Sequence, residues 1–440
     1  MTENRMKWST LLSRKRVGKD LPDIGPRSPF QMDIDRIIFL DHFRRLSRKA
    51  QVHPLIENDH IHSRLTHSLE TSSVGRSLGE LAGFHLQKIG ELPPDIEPHH
   101  LGQIVQAACL AHDIGNPPFG HSGESAIKDW FNHNASCIDY LDKHCRTDFT
   151  KFDGNAMSLR ILLSTGFHSQ GIGPTYPLIG ALLKYPWPSS FDSGKEKFSY
   201  FYNESTIINT ICEELGLIKQ DNHFCRHPLA FLMEAADDIC YRIIDLEDAT
   251  EVGILDKSFM YDKFIDLLEY PPEKAEGIKS LHFRQRNSII RAKLINTSIS
   301  ECFDTFIKNY DLILQGKLPP DTSLLSAAGG KTCKALASIY KGISNTLFLS
   351  RRKMMLEIGA FNAIGKILEV CMLDIKHICT GDSSYNKDKI KALLGSDVVE
   401  KNLLDHNKHY LLSLAVLDYI SGMSDHYATE VCRKFLGLGF

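Results

Sequence analysis

LGQIVQAACLAHDIGNPP, residues 101–118, joins a long apolar segment to an abrupt stop. The apolar side chains of residues 101–113 predict a helix. Gly115 and two prolines follow, and both residue types are strong helix breakers. The segment therefore predicts an apolar helix whose last turn carries the adjacent pair His112-Asp113.

Helical periodicity continues on both sides of this segment. Between residues 61 and 90, apolar side chains recur at intervals of three and four, at Leu65, Leu69, Val74, Leu78 and Leu81. Three more stretches have the same character, residues 228–250, 345–376 and 408–437. Clean period-two alternation, the mark of a half-buried strand, is hard to find. The sequence therefore predicts an all-α fold.

Three regions interrupt the helical pattern. Residues from about 165 to 205 contain many glycines and prolines, which predict loops and short helices near a surface or a site. Residues 315–330, QGKLPPDTSLLSAAGG, are typical of a mobile connector. Residues 380–400 are polar, and we expect them to form a mobile segment without regular structure as well.

Composition excludes several classes of protein. The formal net charge of −3 gives no overall basic field that would mark a dedicated nucleic-acid binder. The 11 cysteines are scattered without a CxxC pair, which argues against a disulfide scaffold and for a reducing compartment. The first residues, MTENRMKWSTLLSRKR, lack the apolar core of a signal peptide, and no run of 18 uncharged apolar residues occurs. We therefore expect a cytoplasmic protein.

Two histidines and two aspartates form a candidate metal site, namely His67 in SRLTHSLE, the pair His112-Asp113, and Asp237 in MEAADDICYRIIDLED. A mixed nitrogen and oxygen set suits a divalent ion that keeps positions open for water and phosphate oxygens. The absence of thiolate argues against a structural zinc site. A lone His-Asp dipeptide also occurs by chance in many proteins. His60 and His62 are equally near His67, and we interpret them as solvated or supporting residues.

Seven longer segments carry more information than these single residues. They are RSPFQMDIDRIIFLDHFRRLSRKAQV at 27–52, SRLTHSLE at 63–70, AHDIGNPPFGHSGE at 111–124, FDGNAMSLRIL at 152–162, LLKYPW at 182–187, MEAADDICYRIIDLEDA at 233–249 and DYISGMSDHYA at 418–428. In this order they resemble the deoxyguanosinetriphosphate triphosphohydrolases of the HD phosphohydrolase superfamily. The resemblance implies an HD-domain helical core with an additional helical C-terminal region. We expect an N-terminal extension at 1–26, an HD phosphohydrolase core with substrate loops at 27–250, and a helical C-terminal region packing on that core at 251–440.

The resemblance also implies a reaction. Family enzymes hydrolyse deoxynucleoside triphosphates, dGTP or a broader dNTP range, to the deoxynucleoside and tripolyphosphate. By similarity, the metal ligands are His67, His112, Asp113 and Asp237. The expected cofactor is a divalent metal ion, Mg²⁺ or Mn²⁺, with other transition metals as alternatives.

His121 and Glu124 match the pair that the family is proposed to use for proton transfer. Their spacing of three places both on one helix face, where the carboxylate can fix the tautomer of the imidazole. Asn116 stands where some relatives carry a further histidine, so a second imidazole is lacking there. The alternative for His121 is that it only caps the helix that follows.

Asp237, Tyr241 and Asp245 recur at intervals of four, so on a helix they form one stripe about 12 Å long. The resemblance assigns Tyr241 to stacking on the deoxyribose, where its ring would exclude a 2′-hydroxyl. It assigns Asp245 to the 3′-hydroxyl. Without the resemblance, a tyrosine in such a stripe is more often part of the core.

Other residues are expected to contact the substrate. Lys184, Tyr185 and Lys197 are similar to the family's phosphate contacts, and Gln51 is similar to its sugar- or base-contacting glutamine. Arg64 lies one turn before His67 and therefore on the same helix face. Asn155 is a further candidate for a polar contact.

Two other functions remain open at this point. The chain could be a different HD-type nucleotide phosphohydrolase, such as a nucleotidase or phosphodiesterase. It could also be a dNTP- or nucleic-acid-binding protein with weak activity. The expected partners are the dNTP substrate and other copies of the chain in a homo-oligomer, for which a hexamer is one arrangement. Single-stranded DNA and an allosteric dNTP are further candidates, and no membrane is expected.

Overall fold

Helices account for nearly all regular structure in the computed structural model, which describes residues 5–18, 27–51, 58–163, 171–192, 194, 196–348, 351–380 and 388–439. The helices up to residue 251 are α1 (Trp8–Leu11), α2 (Pro29–Ile38), α3 (Asp41–Arg45), α4 (Arg64–Ile89), α5 (Pro98–Ala111), α6 (His121–His133), α7 (Lys143–Thr150), α8 (Gly154–Leu163), α9 (Tyr176–Leu182), α10 (Ser205–Glu214) and α11 (Pro228–Glu251). Those that follow are α12 (Phe259–Phe264), α13 (Pro272–Lys279), α14 (Phe283–Lys308), α15 (Tyr310–Leu314), α16 (Leu324–Ala327), α17 (Lys331–Phe348), α18 (Arg351–Thr380), α19 (Asp388–Leu394), α20 (Ser396–Leu403), α21 (Lys408–Ser421) and α22 (Asp425–Phe435).

Strand structure in the described part of the chain is limited to one small hairpin. β1 (Lys219–Gln220) and β2 (His223–Phe224) pair antiparallel. Single turns of 3₁₀ helix occur at Leu46–Arg48, Ala135–Cys137 and Tyr202–Glu204. The prediction of an all-α fold is confirmed.

Helices α4 and α5 pack together along most of their lengths. Their backbones can approach because α4 presents glycines to α5: a Cβ atom at Gly79 would lie 2.6 Å from the carbonyl oxygen of Leu101. A Cβ atom at Gly83 would meet the α5 backbone even more closely. Leu69 and Leu81, which the periodicity groups with the apolar positions of this helix, are 47% and 38% exposed. The buried face of α4 is therefore richer in small residues than the leucine pattern indicates.

Helix α11 contacts α4, α5, α9 and α14. It begins with Pro228, whose fixed φ suits the first helical position. His227 caps it: Nδ1 accepts a hydrogen bond from the Leu229 amide at 3.1 Å, and Nε2 lies 3.0 Å from the carbonyl oxygen of Leu11. Burial lowers the pKa of His227 to about 4. The ring is therefore neutral with its proton on Nε2, the form that satisfies both contacts.

The described part of the predicted N-terminal extension, residues 5–18, is anchored far along the chain. Trp8 is buried, and its Nε1 donates a hydrogen bond to the Tyr310 hydroxyl at 2.7 Å. The Met6 amide donates to the carbonyl oxygen of Leu314 at 2.8 Å. Residues 1–4 and 19–26 of that extension lie outside the described residues.

The C-terminal helices make buried contacts with the earlier ones. Helix α18 packs against α6, α21 and α22. Arg160 of α8 donates from Nε and Nη2 to the two carboxylate oxygens of Asp418 in α21, at 2.7 and 2.8 Å, and from Nη1 to Glu204 at 2.9 Å. All three side chains are buried, so the loss of either acid would leave part of the guanidinium charge uncompensated. The division of the chain into three parts remains a prediction.

Several predicted boundaries differ from the observed ones. Residues 408–437 form two helices, because the chain turns at Gly422 and Ser424 caps α22 by accepting from the Tyr427 amide at 3.2 Å. The prediction that residues 380–400 form a mobile segment without regular structure is wrong for 388–400, where α19 and α20 lie. Across the described residues, none of the helices combines the length and the apolar character needed to cross a bilayer.

Candidate active site

A cavity of about 610 Å³ opens beside α4, α6 and α11. The predicted site residues in its lining are Gln51, Arg64, His67, His112, Asp113, His121, Glu124, Asn155, Lys184, Tyr185, Lys197, Asp237 and Tyr241. Asp245 is the predicted site residue that the lining does not include. The fold therefore brings into one cavity nearly all of the residues that the sequence singles out, from positions 51 to 241.

The candidate metal ligands meet at one end of this cavity. His67 on α4, with His112 and Asp113 just after α5, place ligand atoms within 4.8 Å of one another. Asp237 of α11 completes the group, since its Oδ1 lies 3.1 Å from His67 Nε2 and 3.6 Å from His112 Nε2. The close packing of α4 on α5 makes this approach possible: a Cβ atom at Gly75 would lie 2.5 Å from a side-chain atom of α5.

A divalent cation fits this donor set. His112 Nδ1 lies 2.6 Å from the carbonyl oxygen of Cys109, which directs Nε2 towards the aspartates. Metal-binding histidines are commonly held in this way by a backbone carbonyl. Burial alone would raise the pKa of Asp237, but the imidazoles of His112 and His67 outweigh burial and hold that pKa below its usual value. The group thus offers ionised carboxylates, which suit Mg²⁺ and Mn²⁺, together with imidazoles, which suit other divalent transition metals.

Arg64 supports the cluster from the first turn of α4. Its Nη1 donates to Asp113 Oδ2 at 2.7 Å, and both side chains are buried. Burial would raise the pKa of Asp113, but Arg64, His112 and His67 together outweigh burial, and that pKa lies below its usual value. Asn116 Nδ2 donates to the other oxygen of Asp113. In this structure the guanidinium therefore orients a candidate metal ligand at the edge of the cavity.

His121 and Glu124 face each other at the start of α6. His121 Nδ1 lies 3.2 Å from Glu124 Oε2, and the imidazole is 84% exposed. Glu124 is buried and its Oε1 accepts from the Gly154 amide at 2.8 Å. Burial would raise the pKa of Glu124, but the His121 hydrogen bond and the Lys197 charge lower it to about 2. The N-cap position of α6 is Gly120, so His121 stands inside the helix with its ring against Glu124.

The lysines of the cavity are paired with acidic side chains. Lys184 Nζ lies 3.2 Å from Glu234 Oε1, and Lys197 Nζ lies 3.2 Å from Asp153 Oδ2. Asn155 Nδ2 donates to Asp153 Oδ1 at 2.7 Å, so Asn155, Asp153 and Lys197 form one polar group. These ion pairs keep the ammonium groups at the cavity wall.

The opposite end of the cavity is aromatic. Tyr241 lies against Tyr340 of α17, with ring centroids 5.1 Å apart and their hydroxyls hydrogen-bonded. The Tyr340 hydroxyl also donates to Asp245 Oδ2 at 2.6 Å. Asp245 is buried behind this pair, which explains why it does not line the cavity.

The structure adds cavity residues that the sequence reasoning did not assign. They are Asn116, Phe119, Ser122, Asp238 and Glu357. Asn116, Phe119 and Ser122 lie in the segment 111–124, and Asp238 lies in the segment 233–249, so these local segments could have indicated them. Glu357 of α18 and Tyr340 of α17 lie outside every quoted segment, and no local signal marks them.

The interpretation of His62 as solvated or supporting the ligands is wrong. Its side chain is 14% exposed, and Nδ1 lies 2.7 Å from Asp248 Oδ1 at the C-terminal end of α11. Nε2 lies 3.6 Å from Glu70 Oε2. Burial lowers its pKa, but Asp248 and Glu70 outweigh burial and raise that pKa to about 10. His62 therefore ties the segment before α4 to α11 instead of contacting the metal ligands.

The chain matches one protein family over a single domain and several known proteins over nearly its full length. Residues 64–148 match the HD domain family. The chain is 40% identical to the deoxyguanosinetriphosphate triphosphohydrolase-like protein of Pseudomonas aeruginosa, covering 98% of this chain and 99% of the relative. It is 36% identical to the like-named protein of Synechocystis sp., covering 98% and 100%. It is 27% identical to the deoxyguanosinetriphosphate triphosphohydrolase of Yersinia pestis, covering 92% and 93%. The chain therefore belongs to the deoxyguanosinetriphosphate triphosphohydrolase-like family of HD-type phosphohydrolases.

Proposed function

We propose that the protein hydrolyses deoxynucleoside triphosphates to the deoxynucleoside and tripolyphosphate, using a divalent metal ion. One observation carries the proposal: a single cavity is lined by the His/Asp cluster, the His121–Glu124 pair and Tyr241. The names of the relatives, which specify triphosphohydrolase, support it further. The cavity volume of about 610 Å³ is in the range of small-molecule sites.

The metal end of the cavity would bind the α-phosphate. His67, His112, Asp113 and Asp237 would hold Mg²⁺ or Mn²⁺, and Arg64 would keep Asp113 ionised and oriented. When bound, the ion supplies Lewis-acid polarisation of a phosphate oxygen and helps orient water. A different HD-type reaction would use the same ligands, so the other end of the cavity must carry the selectivity.

His121 would transfer the proton. With Nδ1 against Glu124, Nε2 is the nitrogen that can face the substrate. It can donate a proton to the leaving 5′-oxygen or accept one from water, and such catalysis needs a group within hydrogen-bond reach. Glu124, ionised well below neutral pH, would hold the ring in one orientation. The exposed imidazole can approach the substrate without displacing a buried neighbour.

The β- and γ-phosphates would meet the lysines. Lys184 and Lys197 are at the cavity wall, and their present partners are carboxylates. A triphosphate can draw each ammonium group partly away from its acid, because phosphate oxygens form strong charge-assisted hydrogen bonds. Asn155 and Tyr185 line the same region and can add neutral contacts.

The nucleoside would lie at the Tyr241 end. A tyrosine ring under the sugar leaves no room for a 2′-hydroxyl, which selects deoxyribose. Asp245 accepts a hydrogen bond from Tyr340, and its carboxylate has the capacity to accept a second one from the 3′-hydroxyl. Gln51 Oε1 is buried and has no hydrogen-bond partner in the described part of the chain, so it offers an acceptor to sugar or base.

Product analysis tests the proposal. The purified protein is incubated with each dNTP, singly and mixed, in the presence of Mg²⁺ or Mn²⁺, and the products are separated by ion-exchange chromatography. We expect deoxynucleoside and tripolyphosphate in equal amounts. Release of pyrophosphate or phosphate, or activity on nucleoside monophosphates alone, would instead assign another HD-type reaction. Retention of dNTP or DNA with no turnover would assign a binding protein.

A further inference from the structure

The turn between α21 and α22 touches the loop that leads to His121. Asp425, the first residue of α22, is buried with 2% of its surface exposed. Its Oδ1 accepts a hydrogen bond from the Phe119 amide at 2.8 Å, and its Oδ2 accepts one from the Ala50 amide at 3.0 Å. These two amides immediately precede Gly120-His121 and Gln51, so one carboxylate connects two cavity-lining segments.

A buried lysine makes a second connection between the same segments. Lys49 Nζ donates to the carbonyl oxygen of Asn116 at 2.6 Å and to that of Ser421 at 2.5 Å. Arg45 Nη1 donates to the carbonyl oxygen of Gly422 at 3.1 Å. The turn Ser421–Asp425 is thus attached to residues 45–50 on one side and to residues 116–119 on the other.

The backbone at Phe119 needs such support. Its φ is 65°, in the left-handed region that residues other than glycine seldom adopt. A strained conformation of this kind persists only when its surroundings hold it in place. Gly120 follows with φ 58°, and a Cβ atom there would lie 2.5 Å from the Arg64 guanidinium. The direction in which α6 starts, and with it the position of His121, depends on these two residues.

Asp425 is not occupied with capping its own helix. Ser424 is the N-cap of α22 and accepts from the Tyr427 amide at 3.2 Å. The Asp425 carboxylate instead reaches amides that lie 306 and 375 positions earlier in the chain. The segment 418–428 was singled out in the sequence, but no residue in it lines the cavity.

We propose that Asp425 is a positioning residue for the reaction: it holds Phe119 in its left-handed conformation and so presents His121 and Glu124 to the substrate. The inference rests on the proposed function for its catalytic consequence. The C-terminal helix α22 thereby controls proton transfer without contacting the substrate.

Asp425→Ala in the full-length protein is the direct test. A displacement of about 1 Å in a catalytic group can cost about 100-fold in rate. We expect kcat to fall by about 10- to 100-fold with bound metal close to wild type, and KM to change less than kcat, although Asp425 also holds Ala50 next to Gln51. Asp425→Asn, which retains one acceptor oxygen, should recover part of the loss. Asp148→Ala is the matched control, because Asp148 is also a buried aspartate that accepts from a backbone amide, that of Tyr202 at 3.0 Å. It should lower thermal stability and leave kcat per folded molecule intact.

A double-mutant cycle separates positioning from general destabilisation. Glycine adopts positive φ without strain, so Phe119→Gly should reduce the need for Asp425. The kcat loss caused by Asp425→Ala should be several-fold smaller in the Phe119→Gly background than in the wild type. Equal losses in both backgrounds would overturn the proposal, as would a loss no larger than that of Asp148→Ala.

Hydrogen exchange gives a readout that does not depend on turnover. In Asp425→Ala, the peptide that spans residues 114–124 should exchange its amide hydrogens faster than in wild type, while it should not change in Asp148→Ala. Unchanged exchange in that peptide would overturn the proposed contact whatever the enzyme does. If wild type releases no tripolyphosphate but the exchange behaves as expected, the proposed function fails and the role of Asp425 in holding Phe119 stands.

Discussion

The two ends of the cavity are built in different ways. At the Asp237 end, the candidate metal ligands come from α4, from the end of α5 and from α11, and each stands in a short segment that can be recognised in the sequence. At the Tyr241 end, Tyr340 of α17 packs against Tyr241 and donates to Asp245, and Glu357 of α18 is a further residue of the lining. The chemistry of the proposed reaction would thus depend on locally encoded segments. In the proposed reaction, the choice of nucleoside would depend on how the C-terminal helices dock.

The largest effect is expected at the metal end. His112→Ala or Asp113→Ala should remove detectable dNTP hydrolysis and most of the bound divalent ion, because each removes a ligand atom from the cluster. Metal content after dialysis and product formation are measured on the same folded sample. Tyr340→Phe, a change at the other end, should keep its full metal content. If His112→Ala and Asp113→Ala both kept their full metal content, the Asp237 end of the cavity would not be a metal site.

A smaller loss is expected from the proton-transfer pair. His121→Ala should lower kcat by about 10²–10⁴-fold, the usual contribution of a general acid or base. Metal binding and dNTP affinity should remain, because the cluster and the lysines are separate side chains. Glu124→Gln should cost less, since the amide can still receive or donate a hydrogen bond near the ring. A folded, metal-loaded His121→Ala with wild-type turnover would remove His121 from the mechanism.

Selectivity should change at the aromatic end with a moderate loss of rate. Tyr241→Ala opens space beside the sugar, so the preference for dGTP over GTP in kcat/KM should fall by about 10-fold or more. Tyr340→Phe removes the hydroxyl that donates to Asp245 and should alter discrimination against substrates without a 3′-hydroxyl more than it alters discrimination against GTP. Competition assays with GTP and with the 2′,3′-dideoxy triphosphate measure both ratios. If both kcat/KM ratios were unchanged in both variants, this end of the cavity would not determine which nucleoside is accepted.

The smallest effects are expected on stability, from two histidines near opposite ends of α11. The pKa of His62 is raised to about 10, so its stabilisation is present below its unfolded value of about 6.5 and is lost as pH rises to 10. The pKa of His227 is lowered to about 4, so its stabilisation is lost as pH falls from about 6.5 to 4. Each contribution is about 1–2 kcal/mol.

Replacement of each histidine by glutamine tests these opposite slopes. Urea unfolding of wild type, His62→Gln and His227→Gln is followed between pH 4 and pH 10. The free energy of unfolding of His62→Gln should lie furthest below that of wild type at low and neutral pH, and should approach it at high pH. The free energy of unfolding of His227→Gln should differ from that of wild type most at neutral pH and least near pH 4. Parallel curves for all three proteins would contradict the assignment of charge to His62 and neutrality to His227.

The sequence predicts the helical class correctly, and it singles out residues that meet at one end of the cavity, for a physical reason. Helices such as α5 and α11 have an apolar period that can be recognised locally, and His112-Asp113 lies directly at a helix end. The spacing of Tyr241 and Asp245 correctly implies one helical stripe. It does not reveal that Asp245 would be buried and bound by Tyr340, because this contact joins residues 95 positions apart.

The errors have a common origin in tertiary structure. Leu69 belongs to the regular leucine pattern but is exposed, since glycines on α4 determine which face meets α5. His62 is predicted to be solvated or to support the metal ligands, yet it is largely buried against Asp248, 186 positions away. Phe119 gives no sign in the sequence that its backbone is left-handed or that Asp425 holds it. Such contacts depend on how distant segments dock, which local patterns do not encode.

The Trp8–Tyr310 hydrogen bond has a consequence for synthesis of the chain. The two side chains are 302 positions apart, and a ribosome adds about 5–20 residues per second. The Trp8 indole must therefore wait on the order of 15–60 s before its partner Tyr310 has been made. During that interval Met6, Trp8 and Leu11, all buried in the finished protein, are available to chaperones that bind apolar segments. Newly made chains stalled before residue 310 should remain bound to such chaperones, and release should follow soon after that point is passed.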